Sequence, residues 1–322
     1  MPTDSQPAKV LVTDLLHEEA LQSLRRHYDV TAKEAQPGEL PGLIGDFEAL
    51  IVRSRTKVTR EVLAQAASLR VVGRAGTGVD NIDVEAATEL GIPVVNAPGG
   101  SAQSVAELAV GLMLSLARRI PEADRTTKAG QWEKARLRGG ELAGKVLGLI
   151  GSGRIGSLVA QICQDLGMET VAFDPYLEPL AAQERGIWLA SLEQVLQRAD
   201  FVSVHATLTD ETHYMLSSAE FARMKPTAYL INAARGPIVE EPALVEALRS
   251  GQIAGAGLDV FEREPPADSP LLAMENVVLT PHIGAATEEA QRRTGLLVVE
   301  QVTKVLAGDM PDFVVNPEAL SV

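Results

Sequence analysis

The sequence predicts an α/β protein of two doubly wound, parallel-sheet domains, the smaller one built from both termini, with a cleft between the two. Three observations carry that expectation. Short apolar strands alternate with amphipathic helices in two successive stretches of the chain, and a glycine-rich turn opens the second stretch. Aliphatic residues are plentiful while aromatics make up only 4% of the chain. Strand and helix in alternation imply parallel pairing through helical crossovers. A parallel sheet covered on both faces needs continuous aliphatic runs of this kind.

In chain order, the strands of the first stretch are KVLVTD at 9–14, EALIV at 48–52, LRVVG at 69–73 and IPVVN at 92–96. Helical patterns at Glu18–Arg26, Arg60–Ala67 and Val84–Leu90 lie between them. Pro98-Gly99-Gly100 breaks the alternation before a long helix over Ala102–Arg119, whose apolar side includes Val105, Leu108, Leu112 and Leu116. Gly130-Gln131-Trp132 and the KARLR that soon follows read as an exposed arm within about 119–145, with Trp132 an interface or packing residue rather than a catalytic one. Alternation then resumes through 145–150, METVAFD, DFVSVHA (200–206), AYLINAA (228–234), AGAGLDV (254–260) and NVVLTPHIG (276–284). A last amphipathic helix, Thr287–Leu306, carries the chain back to the first domain and ends near a short strand, FVVN. These patterns divide the chain into 1–98 with 288–322 and a second domain at 99–287.

The glycine turn reads Gly151-Ser152-Gly153-Arg154-Ile155-Gly156, between an apolar strand and a helix with Ile155, Leu158, Val159, Ile162 and Leu166 on one face. In that setting the three glycines have distinct tasks: a tight turn, close approach of a pyrophosphate, and close packing of helix on strand. The helix N-terminus offers N–H donors and a positive dipole end to phosphates. Asp174 ends the next strand about 18 residues past Gly156, where an acid binds a ribose 2′-hydroxyl and repels a 2′-phosphate. A Rossmann-like domain that binds NAD rather than NADP is therefore expected.

Three polar residues after later strands suit hydride transfer to or from a 2-hydroxy acid. Arg235, in Ala234-Arg235-Gly236-Pro237, can clamp a carboxylate and polarise the adjacent carbonyl. His282, in Thr280-Pro281-His282-Ile283-Gly284, titrates near neutrality and can exchange the hydroxyl proton. Glu264 would orient it and favour the imidazolium, though sequence spacing leaves open whether the two side chains meet. His205 closes the strand FVSVH beside the expected cofactor. In the first domain, Arg53 and Ser54 in VRSRT and Arg74, Gly76 and Gly78 in GRAGTG form an expected anion site at strand ends.

A formal net charge of −14 argues against a nucleic-acid or anionic-membrane surface, so an anionic substrate has to be met by local positive charge. The single cysteine, Cys163, lies in an apolar helical stripe and reads as core. No histidine or cysteine cluster has metal-ligand spacing. The first residues lack signal-peptide regions and no apolar run reaches membrane-spanning length. A soluble, reduced, cytoplasmic protein is expected.

The stretches VRSRTKVT, VVGRAGTGVDNID, LGLIGSGRIG, INAARGPIVEE, GLDVFEREPP and TPHIGAAT resemble the D-isomer-specific 2-hydroxyacid dehydrogenases, most closely the branch that oxidises D-3-phosphoglycerate in serine biosynthesis. The likeness runs from about Val10 to Asn316. It implies that Arg235, Glu264 and His282 are the family's catalytic set. It also implies NAD contacts from Thr77, Arg154, Ile155, Asp174, Thr207, the Ala233–Arg235 backbone and Asp259, with Gly284 among them. Arg53, Ser54 and the Gly76–Gly78 loop correspond to substrate positions. The resemblance further implies a homodimer or homotetramer paired through the arm. Ser101 stands where many relatives carry an asparagine that contacts substrate or cofactor. The chain's stop at Val322 implies the absence of a C-terminal regulatory domain and of serine feedback through it. A hydroxypyruvate or glyoxylate reductase would use the same groups, and an NAD-sensing corepressor would use the fold without turnover.

Overall fold

The computed structural model describes residues 6–36 and 38–321. The chain divides into two units, one of residues up to Ser101 together with those from Ala286 onward, the other Ala102–Ala285. The first unit holds β1 (Lys9–Val12), β2 (Asp29–Ala32), β3 (Ala49–Val52), β4 (Val71–Arg74) and β5 (Val94–Asn96), all parallel in the order β2-β1-β3-β4-β5. Its side chains alternate between two cores, as a strand period of two requires. Leu11, Leu50, Val72 and Val94 enter one. Val10, Val12, Ile51, Val71 and Val95 enter the other, with Val298 and Val302 of the helix Glu288–Ala307. That helix lies so close to β4 that a Cβ on Gly73 would come within 2.6 Å of a Val302 methyl. FVVN forms no strand: Val314 makes a single antiparallel bridge to Val95. Asn316 then turns the chain by bonding the Val94 N–H (2.7 Å).

The second unit contains β6 (Val146–Ile150), β7 (Glu169–Phe173), β8 (Trp188–Leu189), β9 (Phe201–Val204), β10 (Tyr229–Asn232), β11 (Gly255–Leu258) and β12 (Val277–Leu279). Their parallel order is β12-β11-β10-β9-β6-β7-β8. The strand order reverses between β6 and β9, and a crevice outside the carboxyl ends of such a pair is where open α/β sheets take ligands. One face packs Leu147, Leu149 and Ile231 against Ala109, Met113 and Leu116 of the helix Ala102–Ala117. The other packs Val202, Val204, Leu230 and Leu258 with Phe221 and Leu244. The long helix ends two residues short of the expected Arg119. Arg119 is left-handed (φ 53°) and starts a separate helix, Ile120–Lys128. Glu122 ties the following arm by gripping both Arg119 and Arg136. No helix among the described residues is long and apolar enough to cross a membrane.

Candidate active site

The glycine turn is built by contacts that no side chain would allow. Gly151 has φ 87°, and a Cβ there would lie 2.8 Å from the Ala206 nitrogen; one on Gly156 would lie 2.3 Å from the Gly151 carbonyl oxygen. Both clashes are with backbone, so β6, its turn and the helix Arg154–Asp165 fit only with glycine. Gly153 faces open space instead and caps that helix without a side-chain bond, leaving its first N–H groups to a ligand. Beside it lies a cleft of about 420 Å³ bordered by Gly151, Gly153, Asp174, His205 and Thr207. Those residues fit a dinucleotide: backbone donors for its phosphates and an acid for its ribose. Asp174 is fixed at the end of β7 by accepting the Ser152 N–H (2.6 Å) and the Tyr176 N–H (2.9 Å).

His205 follows β9 with Nε2 2.8 Å from the Ser203 hydroxyl and a buried Nδ1. Burial pushes its pKa down to about 4, so it is neutral at pH 7 and adds no cation to the cleft. Thr207 continues the same loop, its carbonyl accepting from the Thr212 hydroxyl (2.6 Å).

The second cluster hangs from β10, β11 and β12. Asn232 is buried at the end of β10, donates to the Arg235 carbonyl (2.9 Å) and accepts the Ala234 N–H (3.0 Å), which folds Ala233, Ala234 and Arg235 into a tight loop. Sequence reasoning missed Asn232; its one signal is an amide within an apolar strand. Gly236 lets this loop run directly over Phe261, whose carbonyl oxygen would lie 1.9 Å from a Cβ there. The 261–264 turn that carries Glu264 is thereby set beside Arg235.

His282 sits in the left-handed region (φ 53°), an unfavourable conformation for a side chain. Its N–H donates to the Asp259 and Thr280 carbonyls (2.9 and 3.0 Å). Asp259 is the buried anchor beneath it. Its carboxylate accepts from the Thr280 hydroxyl (2.6 Å), the Ile283 N–H (2.8 Å) and the Gly284 N–H (2.8 Å). Asp259 and Gly284, expected at the cofactor, also shape the histidine's loop.

Glu264 and His282 meet: Nδ1 lies 2.7 Å from Glu264 Oε2, and Glu264 Oε1 accepts the Phe261 N–H (3.2 Å). The hydrogen bond to Glu264 raises the histidine pKa above its usual value, against burial and the nearby Arg235 charge. Burial alone would raise the Glu264 pKa, but the His282 bond and charge, the Phe261 N–H and the Arg235 charge outweigh it and hold it below the usual range. All three groups therefore sense one another. With Nδ1 bound to the carboxylate, Nε2 is the nitrogen that can exchange a substrate proton.

In the first unit, Arg74 ends β4 paired with Val52, the last residue of β3, and Arg53 follows Val52 directly. Asp14 accepts the Arg53 N–H (2.7 Å), and Asn81 donates to the Arg53 and Thr56 carbonyls (2.8 and 2.6 Å), so the Arg53–Ser54 turn is braced from both sides. Arg74 lies across Gly76, where a Cβ would overlap its guanidinium. Asn96 donates to the Thr77 carbonyl (2.7 Å) and fixes the loop leading to Gly78. Thr77 and these residues belong to the first unit, whereas the glycine turn and the Arg235, Glu264 and His282 cluster belong to the second. Ser101 is buried.

The family model described as "D-isomer specific 2-hydroxyacid dehydrogenase, NAD binding domain" matches residues 110–284. D-3-phosphoglycerate dehydrogenase of Methanocaldococcus jannaschii is 49% identical over 310 residues, which cover 96% of this chain and 59% of that protein. The chain thus spans little more than half the length of the phosphoglycerate dehydrogenases it matches. Hydroxypyruvate reductase of Thermotoga maritima is 45% identical over 303 residues, covering 92% of this chain and 98% of that one. A solved protein of Thermus thermophilus superposes with a TM-score of 0.88 at 39% identity, over 95% of this chain and 99% of that one.

Proposed function

The chain belongs to the D-isomer-specific 2-hydroxyacid dehydrogenases, and we propose that it oxidises D-3-phosphoglycerate to 3-phosphohydroxypyruvate. The observation that carries this is the 2.7 Å bond between Glu264 and His282 beside Arg235. NAD, when bound, supplies the acceptor for the C2 hydride. Gly151, Gly153 and the N-terminus of the helix Arg154–Asp165 hold its phosphates, and Asp174 takes its ribose hydroxyl. Arg235 holds the substrate carboxylate with parallel N–H donors. His282 Nε2 takes the hydroxyl proton as the C2–H bond breaks and the carbonyl forms; in reduction it returns that proton. Glu264 keeps Nε2 turned to the substrate and stabilises the imidazolium that results. In the first unit, Arg53, Ser54, Arg74 and the Gly76–Gly78 loop bind anionic substrate groups.

The match to a hydroxypyruvate reductase over nearly the whole of both chains favours a second reading, reduction of a smaller 2-oxo acid by the same groups. A panel comparing kcat/KM for D-3-phosphoglycerate, hydroxypyruvate and glyoxylate separates the two. Preference for the phosphorylated acid supports the first reading, and a preference for hydroxypyruvate overturns it. The highly exposed Trp132 in the arm supports pairing into a homodimer or tetramer, which sedimentation equilibrium tests. The single buried cysteine suits a reducing, cytoplasmic setting.

A further inference from the structure

The turn that carries Glu264 is tied down by a second acid, Glu262. Arg263 and Glu264 are exposed, whereas Glu262 is half-buried. The helix Glu241–Arg249 receives no cap bond from the side chain of Glu240, the residue that precedes it. Glu262 supplies one from the turn, its Oε1 accepting the Glu241 N–H (3.0 Å). A carboxylate there also meets the positive end of the helix. The Tyr214 hydroxyl bonds the same carboxylate, and the Glu262 charge holds that phenol's pKa above its usual value. Tyr214 is left-handed (φ 53°), a costly conformation for a side chain, and its N–H donates to the Pro237 carbonyl (2.8 Å). Two residues on, the Leu216 N–H donates to the Ile238 carbonyl (3.1 Å). Around Glu262 and Tyr214 stand Glu240, Glu241, Arg263 and Asp268, with Glu241 accepting from the Ser269 hydroxyl (2.6 Å). One carboxylate thus joins the Glu264 turn to the stretch that runs from Arg235 into the helix Glu241–Arg249.

We propose that Glu262 is a positioning residue for the reaction: by binding the Glu241 N–H and the Tyr214 hydroxyl, it fixes the turn from which Glu264 reaches His282. The proposal rests on the reading of His282 as an acid-supported base. The charges that bear on His282 are those of Glu264, Asp259 and Arg235. Glu262 therefore acts through where Glu264 stands, and its own charge is incidental. The Glu264–His282 bond of 2.7 Å weakens steeply once its acceptor drifts out of line. Without the anchor the imidazolium loses part of its support.

Titration of the His282 ring by NMR, in histidine-labelled protein with His282→Ala to assign the signal, tests this without substrate. The wild-type midpoint should lie above 6.5. Glu262→Ala should lower it by about half a pH unit or more, and kcat for the preferred 2-hydroxy acid should fall about tenfold. Glu262→Gln keeps both hydrogen bonds and should titrate like the wild type. Glu262→Asp keeps the charge on a stem one methylene shorter and should titrate lower. The reverse order, with Glu262→Asp like the wild type and Glu262→Gln lowered, would show that charge acts in place of reach and overturn the proposal. An unchanged midpoint in Glu262→Ala would overturn it too. Should that variant not fold, the other two decide, and equal midpoints in them count against the proposal. A wild-type midpoint at or below 6.5 would instead remove the acid-supported imidazole on which the proposal stands.

Discussion

His282 depends on two carboxylates that do different things. Glu264 sets its charge: the bond at Nδ1 raises its pKa, so the neutral form needed to accept a proton is populated only at higher pH. Oxidation should therefore gain kcat/KM as pH rises through a value above 6.5, and reduction should lose it over the same range. In Glu264→Gln the largest upward contribution disappears. The oxidation profile should then move to lower pH while kcat falls about 10²-fold or more, as pH-dependent initial rates would reveal. An unmoved profile would show that the carboxylate does not act through the imidazole. Asp259 chiefly sets position, its charge adding a smaller upward push on the imidazole than the Glu264 bond. Its replacement by alanine strands the Thr280, Ile283 and Gly284 donors in a buried place. That should cost about 3–5 kcal/mol in urea unfolding, with turnover lost alongside.

At the scale of elements, the tightest fits are between glycines and the backbone or helix opposite. Gly156→Ala places a methyl against the Gly151 carbonyl, which cannot retreat without moving β6. NADH affinity should fall at least about tenfold, and stability by about 1–3 kcal/mol. Unaltered NADH titration in that variant would contradict the proposed geometry of the turn. Gly73 faces side chains instead, Val302 and Val298 of the helix Glu288–Ala307. Gly73→Ala should cost about 1–3 kcal/mol, and Val302→Ala in the same chain should recover part of that loss by removing the opposing methyl. Additive losses in a double-mutant cycle would show that the helix does not pack there as described.

Ten of the twelve strands among the described residues are legible in the sequence because they are largely buried, mostly aliphatic runs. β2, with the sequence DVTA and largely exposed at the sheet edge, carries no such signal, and β8 is only two residues long. FVVN misleads in the other direction, since a short apolar run can cover a sheet edge with one bridge and then turn. The site divides along similar lines. The glycine spacing and the Arg235, Glu264 and His282 residue types are visible in one dimension. Asn232 and the anchoring task of Asp259 are not, because each depends on partners fixed only by the fold.

For the whole molecule, the phosphate turn, Asp174 and His205 all lie in the unit Ala102–Ala285. NADH at about a hundred times its Kd should stabilise that unit by about 2.7 kcal/mol, seen as a rise in its thermal unfolding midpoint. An unchanged midpoint under saturating NADH would contradict the cofactor assignment. The central claim is that a carboxylate-supported imidazole moves the substrate proton. Its most direct test is the steady-state rate of NADH formation from D-3-phosphoglycerate by His282→Ala beside the wild type. The structure predicts a kcat lower by about 10²- to 10⁴-fold in a variant that still binds NADH. Turnover equal to that of the wild type would contradict it.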